Sequence, residues 1–206
     1  MIVAMAGSPG TGKSTLARTL SEALDGLLLD KDALGAQLFP YGDGTCREQN
    51  DWTDQVALTA LAWNLQKVPE RVVVLDGHRL TRTEEVHALR RFAIGLGHPL
   101  QIVECVCPAH IARARLGTRP PTPARGSVGG DPSERLPPPK IVADTTLPPD
   151  RCLDLVLRQL PPATRAMPSN GADPPHRDST PVPEQPRPST RRNTATTDSP
   201  RLRELR

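Results

Sequence analysis

The feature that most constrains this chain is the stretch Gly7-Ser8-Pro9-Gly10-Thr11-Gly12-Lys13-Ser14. It follows directly on the apolar run Ile2-Val3-Ala4-Met5-Ala6. It opens a segment in which Leu16, Ala17, Leu20 and Leu24 recur at helical spacing. A buried strand, a glycine turn and an amphipathic helix, in that order, are the context in which G-x-x-x-x-G-K-[ST] works as a phosphate cradle. The glycines let backbone N–H groups converge on phosphate oxygens with no Cβ in the way. Lys13 is placed to set its ammonium on the β- and γ-phosphates, Ser14 to offer a hydroxyl to Mg²⁺, and the following helix to point its positive end at the anion. Gly7, Ser8, Pro9, Gly10, Thr11, Gly12, Lys13, Ser14 and Thr15 are thus expected to hold the phosphates of ATP or a close relative.

How much of the chain surrounds that loop as a folded domain is read from proline. Of 24 prolines, five lie before position 118, nine between 118 and 150, and ten from Pro161 onward. The first 117 residues alternate apolar runs with charged amphipathic stretches, as a folded domain does, and the domain is read as 1–160. Residues 161–206 are rich in Pro, Ser, Thr and Arg and carry almost no apolar periodicity, which predicts a disordered tail. That tail holds eight Arg and five acidic residues, a balance of +3 equal to the formal charge of the whole chain. The body is near neutral and has no dedicated polyanion-binding face. The basic tail leaves nucleic acid open as a partner, although composition favours a solvated tail. The start lacks the basic region of a secretory leader, and no apolar run approaches the ~20 residues of a membrane span. Cys46, Cys105, Cys107 and Cys152 show no C-x-x-C spacing and read as free thiols in a reducing cytoplasm.

Strand and helix alternate along the body. Leu27–Leu29 reads as a second strand ending at Asp30, and a long helix is expected from Glu48 to Lys67 with Val56, Leu58, Leu61, Ala62 and Leu65 as its stripe. Trp52 and Trp63 share a face of that helix, and core packing is the expected role of both. Val72–Leu75 is a β-branched run suited to a parallel strand buried on both faces. Thr81 to Glu84 reads as a capping box for a helix ending at Gly97. Leu100–Val106 and Ile141–Ala143 supply further strands, and Asp150–Leu160 a closing helix. Repeated βα units imply an α/β fold with a mostly parallel five-stranded sheet covered on both sides. Residues 118–139, with seven prolines, form an irregular segment where helices are disfavoured.

The chain has no N-K-x-D after a strand and no L-S-G-G-Q segment, which argues against a switch GTPase and a transport ATPase. What remains resembles the AAA-33/zeta-toxin-like small P-loop kinases, related to polynucleotide 5′-kinase and chloramphenicol phosphotransferase. The resemblance covers residues 1–160. It rests on the loop, Leu29-Asp30-Lys31-Asp32, Glu48-Gln49-Asn50, Val73-Val74-Leu75-Asp76-Gly77, Val103 to Pro108, and Arg113, Arg115 and Arg119. It implies a three-layer P-loop fold of the nucleoside-monophosphate-kinase kind and transfer of the γ-phosphoryl group of ATP to a hydroxyl of a small molecule or nucleic-acid end.

By that resemblance Asp32 is the general base, Asp76 a substrate-orienting or Mg²⁺-linked acid, and Arg115 and Arg119 lid cations that bridge donor phosphates. Arg79, with His78 beside it, falls where an acceptor pocket is expected. The alternative role for Asp32 is a helix cap, for Asp76 a turn residue. Which carboxylate contacts Mg²⁺ stays open. Gly35 stands where the family commonly has an arginine, and the proline-rich 118–139 replaces helical lid segments. Both departures keep a second reading alive, a non-catalytic ATP-binding module.

Overall fold

The computed structural model describes residues 1–42, 46–117 and 136–161. Five strands, β1 (Ile2–Ala6), β2 (Leu27–Asp30), β3 (Val73–Asp76), β4 (Leu100–Val106) and β5 (Ile141–Asp144), alternate with six helices. The helices are α1 (Lys13–Ala23), α2 (Lys31–Leu38), α3 (Arg47–Lys67), α4 (Thr83–Gly95), α5 (Ala109–Gly117) and α6 (Pro149–Gln159). The strands lie in the order β2-β3-β1-β4-β5 and every neighbouring pair is parallel. All five therefore end on the same edge, which collects the loops that carry chemistry.

The period-two alternation of strand side chains divides the core between the two faces of the sheet. On one face Val3 and Met5 pack with Leu16, Ala17 and Leu20 of α1 and with Cys152 and Val156 of α6. On the other, Ile2, Ala4 and Ala6 pack with Ala57, Leu61 and Leu65 of α3 and with Val86, Leu89 and Ala93 of α4. β1 and β3 are buried along their whole length, as uninterrupted apolar runs in a doubly covered parallel sheet must be. Leu136 joins the second cluster. The Arg90 guanidinium of α4 donates to the carbonyls of Pro137 (3.3 Å) and Pro139 (3.2 Å), which fixes the chain as it enters β5. Arg119 and residues 118–135 of the expected lid lie outside the described residues, as do residues 162–206 of the tail.

Three expectations are corrected. The first concerns α2, which apolar spacing does not announce. Asp30 caps it, its carboxylate accepting from the Ala33 N–H at 3.0 Å, so Asp32 lies in the first turn and is not the cap. Of its residues only Lys31 is fully buried, which is why no stripe was legible. The second concerns α4, which starts later than Thr81. Its capping carboxylate is Glu85, whose Oε2 accepts from the N–H groups of Thr81 (2.7 Å) and Arg82 (3.0 Å) and from the Thr81 hydroxyl (3.1 Å). The third concerns the tryptophans: Trp52 and Trp63 are 60% and 58% exposed, and the inward stripe of α3 is Thr53, Ala57, Leu61 and Leu65.

The cap assignment has a direct consequence. Glu85→Ala is expected to lower stability in urea unfolding by about 1–2 kcal/mol, since three donors lose one acceptor. Glu84→Ala is expected to change it by less than about 0.5 kcal/mol. The reverse order would restore the cap read from sequence.

Candidate functional site

The glycine loop leaves β1 at the centre of the sheet edge. Gly7, Gly10 and Gly12 have φ of 124°, 82° and 84°, the left-handed region that glycine enters without strain. At Gly7 space is limiting as well, because a Cβ there would stand 2.3 Å from the Cys105 carbonyl oxygen of β4. The loop is braced internally, with the Thr11 hydroxyl donating to the Ser8 carbonyl at 2.7 Å. The Lys13 ammonium folds across the loop onto the same carbonyl at 2.9 Å. α1 begins at Lys13, so its first N–H groups open toward the space this loop encloses.

Asp76 ends β3, the strand next to β1, and is 2% exposed. Its Oδ1 has no hydrogen-bond partner among the described residues. Burial pushes its carboxyl above the ordinary range, and Asp30, level with it on β2, pushes the same way. The Ser14 hydroxyl, the Gly77 N–H and Lys13 favour the charged form. A buried carboxylate oxygen without a donor, beside the hydroxyl of the phosphate-loop serine, fits a small hard cation held by oxygen ligands. Asp32 stands close by. A Cβ on Gly77 would lie 3.4 Å from its Oδ1, so the ends of β2 and β3 bring Asp30, Asp32 and Asp76 to one part of the edge.

Two cavities bear on the site, one beside the loop and one between α2 and α3. The one on the β5 side, about 350 Å³, is lined by Gly10, Gly12, Thr15, Arg115, Thr145 and Leu147, among others. Arg115 reaches it from α5 and donates to the Thr145 carbonyl (2.7 Å) and hydroxyl (3.3 Å). Thr145 in turn lies 2.7 Å from the Thr11 carbonyl and 3.1 Å from that of Val106. The cavity on the β2 side, about 50 Å³, is lined by Asp32, Lys31, Gly35, Phe39, Gln49 and Thr53, among others. Arg79 is exposed on the loop between β3 and α4 and lines neither cavity.

A polar cluster behind the smaller cavity went unread in the sequence. The Lys31 ammonium lies 2.7 Å from Asp54 Oδ2, and His78 Nδ1 lies 2.8 Å from Asp54 Oδ1. Their side chains are 7%, 19% and 14% exposed. Burial pushes the Asp54 carboxyl up, but the hydrogen bonds of His78 and Lys31 and their charges outweigh it, and the net displacement is downward. One signal was available. Asp54 sits three, four and seven residues before Ala57, Leu58 and Leu61, so it shares the apolar stripe of α3 and must find partners inside. Thr145 was also missed, although a residue just beyond a parallel strand's end is a standing candidate for a site.

Of the cysteines, Cys105 is buried and its thiol is pushed up to about 12 by burial, so it is no nucleophile at neutral pH. No cluster of three or more His, Cys, Asp or Glu side chains suited to a metal occurs among the described residues. Among them, no helix is long and apolar enough to cross a membrane.

With this geometry the relationships of the chain become interpretable. It matches the family described as AAA domain (AAA_33) over residues 2–130 and belongs to that family. A putative kinase from Chloroflexus aurantiacus J-10-fl is similar in structure at 19% identity and TM-score 0.61, over 78% of this chain and 98% of that one. The Mycobacterium tuberculosis APS kinase CysC, solved in complex with AMPPNP and APS, matches at 18% identity and TM-score 0.58, over 76% and 95%. A sugar kinase from Janibacter sp. HTCC2649 matches at 17% identity and TM-score 0.54, over 81% and 98%. No curated protein matches. At these identities the likeness establishes the fold, a five-stranded parallel P-loop architecture.

Two carboxylates carry opposite expectations. Asp76→Asn is expected to stabilise the ligand-free protein at pH 7 by about 1 kcal/mol, or about 2–4 °C in Tm. Because the folded carboxyl is displaced upward, wild-type stability is fullest below its ordinary value of 3.8 and declines as pH rises through the folded value, so the variant's advantage grows over that window. Asp54→Asn is expected to destabilise by about 3 kcal/mol at pH 7, since Lys31 is left buried without its anion. That deficit shrinks as pH falls below 3.8 through the lowered folded value, where wild-type Asp54 is itself protonated. Thermal unfolding from pH 3 to 8 checks both signs.

Proposed function

We propose that this chain is an ATP-dependent kinase that moves the γ-phosphoryl group to a hydroxyl of a small acceptor. The single observation that carries the reading is the placement of the two cavities. One is lined by the phosphate loop itself and by Arg115, and the other lies between α2 and α3 with the Asp32 carboxylate in its lining. The larger cavity has the size of a nucleoside and adjoins Gly12 and Thr15, so the donor's base and ribose belong there. Its β- and γ-phosphates then lie over the loop amides and Lys13, which exchanges the Ser8 carbonyl for phosphate oxygens. Ser14 and Asp76 are the residues that fit Mg²⁺, which when bound neutralises charge on the β- and γ-phosphates.

The acceptor enters from the β2 side. Asp32 accepts the proton of its hydroxyl as the oxygen forms a bond to the γ-phosphorus and the bond from that phosphorus to the bridging oxygen breaks, releasing ADP. Arg115, and Arg119 beyond it in the chain, take the lid role of meeting the charge that develops on the transferred group. That the similar M. tuberculosis enzyme binds AMPPNP together with a second compound supports two ligand sites on this scaffold. The reaction is one for the reducing interior of a cell, in keeping with four free thiols among the described residues.

The test is transfer of labelled γ-phosphate from ATP and Mg²⁺ to nucleosides, sugars, 5′-hydroxyl oligonucleotides and hydroxylated antibiotics. Asp32→Asn is expected to lower kcat about 100- to 10,000-fold with ATP affinity unchanged. Lys13→Ala is expected to abolish ATP binding. Wild-type ATP binding without labelling of any acceptor would make the chain a nucleotide-binding module instead.

A further inference from the structure

Asp54 belongs to α3, yet both of its oxygens are spent on the two strand ends that carry the other site carboxylates. Its Oδ2 takes the Lys31 ammonium at 2.7 Å, and its Oδ1 meets His78 Nδ1 at 2.8 Å. The Asp54 carboxyl is displaced downward, so at neutral pH it is ionised and only accepts, and Nδ1 carries the proton. Lys31 follows β2 directly and precedes Asp32; His78 lies just beyond Asp76, the end of β3. β2 and β3 are parallel neighbours with Asp30 level with Asp76, so one carboxylate of α3 grips two adjacent chain exits at once. Between those exits lies a further contact. Gly77 has φ of 75°, and a Cβ there would stand 3.2 Å from Lys31 Cβ and 3.3 Å from the Asp32 nitrogen. The turn after β3 therefore comes up against the backbone of Asp32 itself. α2 carries Gly35 and fully buries only Lys31, so its first turn depends on that lysine, on the Asp30 cap and on the Gly77 contact.

We infer that Asp54, acting through Lys31 and His78, is a positioning residue that sets where the Asp32 carboxylate stands; the inference rests on the kinase reading only in giving Asp32 its role as base. An ammonium next to a catalytic carboxylate invites a role in binding phosphate, but the Lys31 charge is met inside the fold by Asp54. Hydrogen bonds to an ionised carboxylate are shorter and stronger than neutral ones, and these two join three elements, α2, α3 and the β3–α4 loop. Proton transfer needs the base within hydrogen-bond reach of the acceptor hydroxyl. A misplacement of about 1 Å there costs about 100-fold in rate, even when the change behind it lies away from the chemistry.

His78 is the residue whose change tests this, because Asp54 keeps Lys31 when His78 is lost. His78→Leu removes the N–H, whereas His78→Asn restores one at the same number of bonds from the backbone as Nδ1. Amide hydrogen exchange of the full chain reads the hold on α2. Its reporters are Ala33, whose N–H donates to the Asp30 carboxylate, and Phe39, whose N–H donates to the Gly35 carbonyl at the end of α2. In His78→Leu both are expected to exchange at least about 10-fold faster, while Leu24 after α1 and Leu160 after α6, bonded to Leu20 and Val156, change less than about 2-fold. His78→Asn is expected to return Ala33 and Phe39 to within about 3-fold of wild type. Unchanged exchange at these two, equal acceleration at all four amides, or no recovery with Asn overturns the inference. The consequence for chemistry is read with labelled ATP and Mg²⁺ on thymidine, glucose and a 5′-hydroxyl oligonucleotide. In His78→Leu kcat is expected to fall about 10- to 100-fold with the Kd for AMPPNP unchanged, and His78→Asn to recover it. Local loosening of α2 with no acceptor labelled by the wild-type chain would remove the kinase and leave the brace. Labelling with an undiminished kcat in His78→Leu would do the opposite.

Discussion

At the exit of β1 the backbone of Gly7 presses on the backbone of β4, closely enough that a side chain would meet the Cys105 carbonyl oxygen at 2.3 Å. Such contact exists because β1 is the central strand, hydrogen-bonded on both sides, and the chain must turn within the width of its own neighbours. A second close approach, where a Cβ on Gly10 would stand 2.4 Å from the Ala112 carbonyl oxygen, ties the same loop to α5. Between these two points the loop has little freedom. Lys13 and Ser14 follow from it, because they begin the helix that the loop turns into. The glycines thus allow the phosphate to approach the backbone and allow the backbone to approach itself.

Thr145 extends this bracing to the far side of the sheet. One hydroxyl meets the loop at Thr11, the end of β4 at Val106 and the guanidinium of Arg115, and the Thr145 N–H donates to the Val106 carbonyl at 2.9 Å. The larger cavity is therefore walled by groups that also hold the loop in place. A ligand there touches the loop, α5 and the β5–α6 connection at once. Positioning by several elements is what phosphoryl transfer demands of a protein, since most of the catalysis lies in geometry and charge.

What was legible in the sequence divides along physical lines. Strands β1, β3 and β4 and helices α1, α3 and α6 announce themselves because each buries a run or stripe of apolar side chains, and periodicity reports burial. α2 buries a lysine and carries a glycine, so its reason for being helical lies in the Asp30 cap and in its packing against α3. The tryptophans misled because size suggests burial, whereas the inward face of α3 is set by Ala57, Leu61 and Leu65, whose phase excludes Trp52 and Trp63. The loop, Asp32 and Asp76 follow or end strands, and a parallel sheet delivers all its strand ends to one edge; Arg115, on α5, was named only through the family resemblance. Asp54 and His78 were out of reach in that way. Their meaning depends on a contact between residues 24 apart in sequence, made by an element crossing behind the cavity.

Asp54 and Asp76 are both buried carboxylates, yet their surroundings drive them in opposite directions. Asp54 has a partner for each oxygen, and its displacement downward reports a charge that the fold itself stabilises. Asp76 faces Ser14 with one oxygen unmatched and a second carboxylate level with it, and its displacement upward reports a charge that the fold resists. Such an arrangement is destabilising by itself, by about 1–3 kcal/mol for a buried polar group left without a partner. On the function proposed above, a cation at Asp76 would relieve that penalty, and nucleotide and cation would then each be expected to bind more tightly when the other is present. The least satisfied carboxylate of the fold would be the residue that couples the two.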